Sequence, residues 1–158
     1  VNLPICRLLV DADACPVRRE TERAAERFGC PLIFFANASQ QLAARAGRVV
    51  VSDQSDRSDA SDFLLFAECC PGDVVVTDDI GLASLALSKG ARALSSRGRL
   101  YGEQDMPLLL ARRHTARKAR RAGERTRGPR PFTDADRRRF LRALDALLSA
   151  PFQPKEPE

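Results

Sequence analysis

Two short apolar runs in this chain each lead to a pair of aspartates: LLV before Asp11 and Asp13, and VVV, followed by Thr77, before Asp78 and Asp79. Apolar runs of strand length that do not alternate with polar residues need cover on both faces, which parallel sheets flanked by helices provide. The carboxylates that close them cannot follow the strands into a core, so they belong at an edge of the sheet. This pattern alone points to an α/β fold with acidic groups at one end of its strands.

The rest of the first hundred residues agrees. Residues 5–10 (ICRLLV) predict a first strand. A helix is expected from about Pro16, whose missing N–H costs nothing at a first helical position. Val17, Thr21, Ala24, Ala25 and Phe28 would form its inward face, and Gly29 would end it. Residues 31–36 (PLIFFA) and 48–51 predict two more strands. A polar, Ser- and Asp-rich stretch over 52–61 begins as a loop, and a helix is expected from about Ser58, with Phe63, Leu64, Ala67 and Cys70 inward. Pro71-Gly72 breaks it. A fourth strand over 73–77, a helix over 80–89 closed by Gly90 and a fifth strand over 91–94 complete a β-α-β-β-α-β-α-β order. That order predicts a mostly parallel sheet covered on both faces.

Beyond residue 95 the composition changes. Residues 106–116 read as a helix. Residues 112–130 hold nine Lys or Arg against the single acid Glu124, are broken by Gly123, Gly128, Pro129 and Pro131, and are expected to be a mobile or partly ordered connection. A last helix over 133–149 has an apolar stripe of Phe140, Leu141, Leu144, Leu147 and Leu148, and Thr133 with Asp136 resembles a capping box. Residues 1–150 are read as one domain and 151–158 as a disordered tail.

Charge divides the same way. Residues 1–96 carry 10 Lys/Arg and 13 Asp/Glu, whereas residues 97–158 carry 16 and 8. An acidic body joined to a basic C-terminal part suits a polyanionic partner, although two solvated surfaces of opposite sign give the same numbers. The five cysteines are odd in number and form no CxxC pair, which speaks for a reduced, cytoplasmic protein rather than a disulfide framework. Nothing at the N-terminus has the form of a secretory signal, and no apolar run is long enough to span a membrane. The single histidine, His114, argues against zinc and is expected to be exposed.

The acids form three groups that the fold would bring toward one edge, where parallel sheets bind ligands: Asp11 with Asp13, Asp78 with Asp79, and Asp59 with Asp62. Gathered carboxylates repel one another, and Mg²⁺ or Mn²⁺ is the counter-ion that carboxylate and water oxygens suit. Each acid also has a plainer reading. Asp13 and Asp59 fit as helix N-caps, Asp73 as a turn residue before its strand, and Asp53 and Asp56 as solvated loop residues. Cys15, near a helix start, is read first as a packing residue and second as a reactive thiol.

The strings LLVDADACPVRR (8–19), PGDVVVTDDIGLA (71–83), KGARAL (89–94), RGRLY (97–101) and GPRPFTDADRRRFLRALD (128–145), with Asn37 after the second strand, resemble the YaiI/YqxD family of uncharacterised bacterial proteins. The resemblance covers nearly the whole chain in order, and DADACPV, with Cys15 and Pro16, is its most specific part. It implies a PIN-like fold of three layers. PIN domains are typically metal-dependent nucleases with an Asp after strand one, an acid in a central helix and an Asp after strand four. By position these are Asp11, Asp62 (or Asp59) and Asp79. Asp13 belongs to the family's own motif, and the pattern does not require an acid at Asp78.

Three functions follow as expectations. The first is an Mg²⁺- or Mn²⁺-dependent nuclease, on RNA rather than DNA. Asp11, Asp62 and Asp79 would be catalytic, with Asp13 and Asp78 as further metal ligands. Asn37, Arg97 and Arg99 would bind substrate, and the basic C-terminal part would attract the nucleic-acid backbone. Aromatic residues for base stacking look scarce, with Tyr101 the only Tyr and no Trp. The second is a nucleic-acid-binding protein without catalysis. The third is a phosphatase of the haloacid-dehalogenase type, suggested by Asp11-x-Asp13. It is disfavoured because Gly72-Asp73 precede an apolar strand instead of following one.

Overall fold

The computed structural model describes residues 6–13, 15–37, 47–52, 59–125 and 127–150. Ile5, Asp53, Asp56, Ser58 and residues 151–158, for which strand, loop, helix-start and tail assignments are made above, lie outside them. The strands are β1 (Leu8–Asp11), β2 (Leu32–Asn37), β3 (Arg48–Ser52), β4 (Val74–Val76), β5 (Arg92–Leu94) and β6 (Leu100–Tyr101). The helices are α1 (Arg18–Phe28), α2 (Ala60–Glu68), α3 (Ile80–Ser88), α4 (Met106–Arg121) and α5 (Asp134–Ser149), with a 3₁₀ turn at Glu103–Asp105. The sheet order is β3-β2-β1-β4-β5-β6. The first five strands are parallel, and β6 returns antiparallel to β5.

The inner strands β1, β2, β4 and β5 are buried on both faces, as their unbroken apolar runs require, whereas Val51 of β3 and Leu100 of β6 are exposed at the two edges. Leu8, Val10, Phe34, Val74 and Val76 face one side, where Ala24 of α1 and Phe140 and Leu144 of α5 cover them. Leu9, Ile33, Phe35 and Val75 face the other, under Leu65 of α2 and Leu82 and Ala86 of α3. A third cluster of Ala83, Ala93, Tyr101, Met106 and Leu109 seats α4 beside the β5–β6 end. The domain therefore has three layers, with a mostly parallel sheet in the middle. No helix among the described residues is long and apolar enough to cross a membrane.

Several local expectations change. Pro16 is not a first helical position, because α1 starts at Arg18, and the Pro16 carbonyl instead accepts a hydrogen bond from Arg137 at 3.1 Å. In α2 the inward face is Ser61, Leu65 and Cys69, one turn apart; Phe63 and Leu64 are exposed, as are Ala67 and Cys70. Phe28 is only partly covered, at 37% exposure. α4 does not stop near residue 116 but continues to Arg121, taking up half of the basic segment as ordered helix. Strand β6 has no apolar run to announce it and forms because a turn over Ser95–Arg99 folds the chain back, closed by Gly98 N–H to Ser95 O at 3.0 Å.

The capping box at α5 forms as expected, with Thr133 and Asp136 exchanging hydrogen bonds. Asp136 is fully buried beneath Arg97, Arg130 and Arg139, all of which bond to its carboxylate. The Arg130 guanidinium, foremost, holds this carboxyl far below the usual carboxylate range. A carboxyl whose pKa is lowered on folding adds stability that is complete above its unfolded pKa and is lost as pH falls toward the folded one. Asp136→Asn is therefore expected to lower the melting temperature at pH 7, with the difference from wild type shrinking only in strong acid; thermal melts across pH check this.

Candidate metal and phosphoryl-transfer site

The chain runs from β1 outward to β2 and β3 and then returns to the other side of β1 as β4. The order thus reverses between β1 and β4, and the crevice beyond the carboxyl ends of these two strands is where open α/β sheets bind ligands. Asp11 is the last residue of β1, and Thr77, Asp78 and Asp79 follow β4 directly. Thr77 ties the two ends together. Its hydroxyl donates to Asp11 Oδ2 at 2.9 Å and accepts from the Asp79 N–H at 3.0 Å.

Asp62 arrives from the first turn of α2. Burial pushes the Asp11 carboxyl up to about 6, opposed by the Thr77 bond and reinforced by Asp13 and Asp79. Burial again, followed by Asp11, Asp79, Asp13 and Asp59, carries Asp62 up to about 7. Asp11, Asp13, Asp62 and Asp79 therefore share one field, although they come from three separate places in the sequence.

Asp13 is not an N-cap. Asn37 Nδ2 and Ser61 Oγ both donate to its Oδ2, at 2.6 and 3.1 Å, and the Ser61 N–H donates to Asn37 Oδ1 at 3.2 Å. Asn37 here positions Asp13 and the start of α2. Asp59 precedes α2 but makes no side-chain cap. Asp79 does cap: its Oδ1 accepts from the N–H groups of Gly81 and Leu82 at 2.7 and 3.2 Å and from Arg113 at 3.1 Å. Asp78 turns away from the group to accept from Ser96 N–H and Oγ at 2.8 and 2.5 Å.

Arg97 is directed to Asp136 and to the Arg130 and Pro131 carbonyls, so its guanidinium holds the start of α5. Arg99 is exposed and lines a separate hollow of about 880 Å³ with Asp78, Ser96 and Tyr101. Tyr101 is buried and offers no stacking face. Burial pushes the Cys15 thiol up to about 11, so it stays protonated and acts in packing. All five cysteines are free, and His114 is exposed.

The residues that sequence reading missed are Thr77, Ser61 and Arg113. Thr77 and Ser61 stand next to singled-out aspartates, so adjacency was the available signal. Arg113 sits one helix away in a basic run, and nothing in its neighbourhood distinguishes it. Gly81 makes room for it, since a β-carbon there would come within 2.5 Å of the Arg113 Nη1.

Carboxylate oxygens supplemented by water are the donor set of Mg²⁺ or Mn²⁺. Among the described residues no three His, Cys, Asp or Glu side chains converge into a cage. The arrangement fits an ion that keeps several of its waters and is held through one or two carboxylates, as Mg²⁺ commonly is. Asp73 lies at the opposite end of β4, where Arg7 donates to its carboxylate at 3.0 and 2.7 Å and the Cys70 N–H at 2.8 Å. It cannot serve as the late acid of a haloacid-dehalogenase-type site.

Fold and site define a three-layer α/β domain with a carboxylate crevice at its switch point. The chain belongs to the uncharacterised YaiI/YqxD family, whose model matches residues 9–150. It is 45% identical over 140 residues to the UPF0178 protein ABC1688 of Shouchella clausii, covering 88% of this chain and 90% of that one. It is 46% identical over 147 residues to the UPF0178 protein of Brucella ovis, covering 91% and 89%. No solved structure matches it.

Proposed function

We propose that the chain is a divalent-metal-dependent nuclease that hydrolyses RNA phosphodiesters, with Asp11, Asp62 and Asp79 as its catalytic carboxylates. The observation that carries this reading is the shared field in the crevice: two aspartates raised to about 6 and about 7 by burial and by their acidic neighbours. An uncompensated cluster of this kind costs stability unless a cation relieves it. One or two of Asp11, Asp62 and Asp79 would hold Mg²⁺ or Mn²⁺ together with its waters, with Asp13 beside them, and the ion would supply an activated water and neutralise the leaving oxygen.

The chain's own contribution is orientation. Thr77 fixes the Asp11 carboxylate, the α3 N–H groups fix Asp79, and Asn37 with Ser61 fixes Asp13. Arg113 places a guanidinium at the rim of the same crevice, where a phosphate oxygen would need one. The basic residues of α4 would draw the backbone toward it.

A second reading, a nucleic-acid-binding protein without catalysis, is favoured by Asp79 itself, whose Oδ1 already accepts three hydrogen bonds. Calorimetric titration with Mn²⁺ separates the two. Saturable binding to wild type, lost in an Asp11→Asn/Asp79→Asn double variant, is the expected result, together with RNA cleavage that the variant lacks. No metal binding, with RNA binding retained by the double variant, would leave the second reading in place.

A further inference from the structure

Among the described residues Phe63 is the most exposed large apolar side chain, at 59%. Its exposure follows from the packing of α2: Ser61, Leu65 and Cys69 turn inward, which sends Phe63 outward. It does not face open surface alone. It lines a groove of about 610 Å³ that also holds Asp62, Phe66, Asp79, Arg113 and Arg117, a volume within the ~300–1,000 Å³ typical of small-ligand sites. The acidic crevice thus adjoins a hollow to which α2 contributes Phe63 and Phe66 and α4 contributes Arg113 and Arg117.

The row of arginines continues along α4. Arg113, Arg117 and Arg121 stand at i, i+4, i+8 on α4, one turn apart on a single face. Arg113 is tied to Asp79, whereas Arg117 and Arg121 are exposed and make no ion pair among the described residues. An exposed ring in a groove, with unpaired guanidinium groups running away from it, matches a ligand that has a flat aromatic group on a polyanionic backbone.

We propose that this groove is a subsite for one unpaired nucleotide, with its base stacked on Phe63 and its flanking phosphates held by Arg117 and Arg121. The strand must then enter unpaired, because a base inside a duplex has no face to offer. The inference rests on the nucleic-acid reading of the crevice but concerns binding, so it is tested without metal and without cleavage.

The test is fluorescence anisotropy in EDTA with three labelled probes: a short oligouridylate, its duplex with oligoadenylate, and an abasic strand of the same length and charge. Wild type is expected to bind the oligouridylate more tightly than either of the others. Phe63→Ala should weaken oligouridylate binding roughly 5- to 100-fold and leave the abasic strand unaffected. Arg117→Ala should weaken both single strands alike and reduce the salt slope by about 0.7. Leu108→Ala, which removes another exposed apolar side chain away from the groove, should bind as wild type does.

Equal oligouridylate affinity in Phe63→Ala and wild type would overturn the proposal. So would an equal loss on the abasic strand, a preference for duplex, or no binding by wild type. Absence of metal binding with these affinities intact would instead count only against the nuclease reading.

Discussion

Asp62→Asn is expected to stabilise the metal-free protein above pH 7 and, under the nuclease function proposed for the crevice, to lower RNA cleavage by about two orders of magnitude or more. The stability change follows from the raised carboxyl, which moves from 3.8 to about 7 chiefly through burial and then through Asp11 and Asp79. A carboxyl whose pKa is higher in the folded state binds its proton more tightly there. Between about pH 4 and about pH 7 the native state then holds more protons than the unfolded chain, and stability falls as pH rises. Asn carries no charge to repel, so the variant escapes this loss. Asp62 is half-buried, and with solvent screening the gain at pH 8 is on the order of 1 kcal/mol. Melting curves at pH 4.5 and pH 8 with and without Mn²⁺ check it. The variant should melt above wild type at pH 8 without metal and level with it at pH 4.5. Mn²⁺ should raise wild type at pH 8 and do less for the variant. A variant less stable at both pH values would mean that Asp62 is held by favourable contacts rather than strained by its neighbours.

Gly98→Ala is expected to cost roughly 2–4 kcal/mol, a fall of about 5–15 °C in melting temperature. Gly98 lies in the turn between β5 and β6 at φ +85°, and a β-carbon there would meet the Arg139 carbonyl carbon at 2.6 Å and the Phe140 nitrogen at 2.7 Å. These are backbone atoms of α5, which cannot move without lifting Phe140 and Leu144 out of the core. Gly123→Ala is the comparison. Gly123 has φ +78° with nothing within 4 Å of the added carbon, so that variant should show only the left-handed backbone penalty of ~1 kcal/mol. The difference between the two variants isolates the contact between turn and helix. Equal losses would show that α5 yields to the turn.

The sequence by itself determined the five parallel strands, because short apolar runs without alternation, set between turn signals and helical segments, suit strands covered on both faces; β6 carries no such signal. It also determined which edge of the sheet the acids share, because Asp11 closes β1 and Asp78 and Asp79 follow shortly after β4. The α5 capping box was legible for the same kind of reason: a cap is a contact between residues three apart. What the sequence could not determine was anything set by rotation or by distant partners. The inward face of α2 was misassigned because Phe63, Leu64 and Ala67 are as apolar as Leu65, and only the sheet beneath decides which of them turns in. Arg97 carries the expectation of a phosphate ligand, yet its guanidinium meets Asp136, 39 residues later, a partner that no local pattern announces. Asp78 and Asp79 are adjacent and chemically identical, yet one turns to Ser96 and the other to α3 and Arg113. Local pattern records hydrophobicity and short-range hydrogen bonding, and these specify strands, caps and edges. Which side chains meet across the crevice depends on contacts between elements far apart in the chain, and only the tertiary structure decided those.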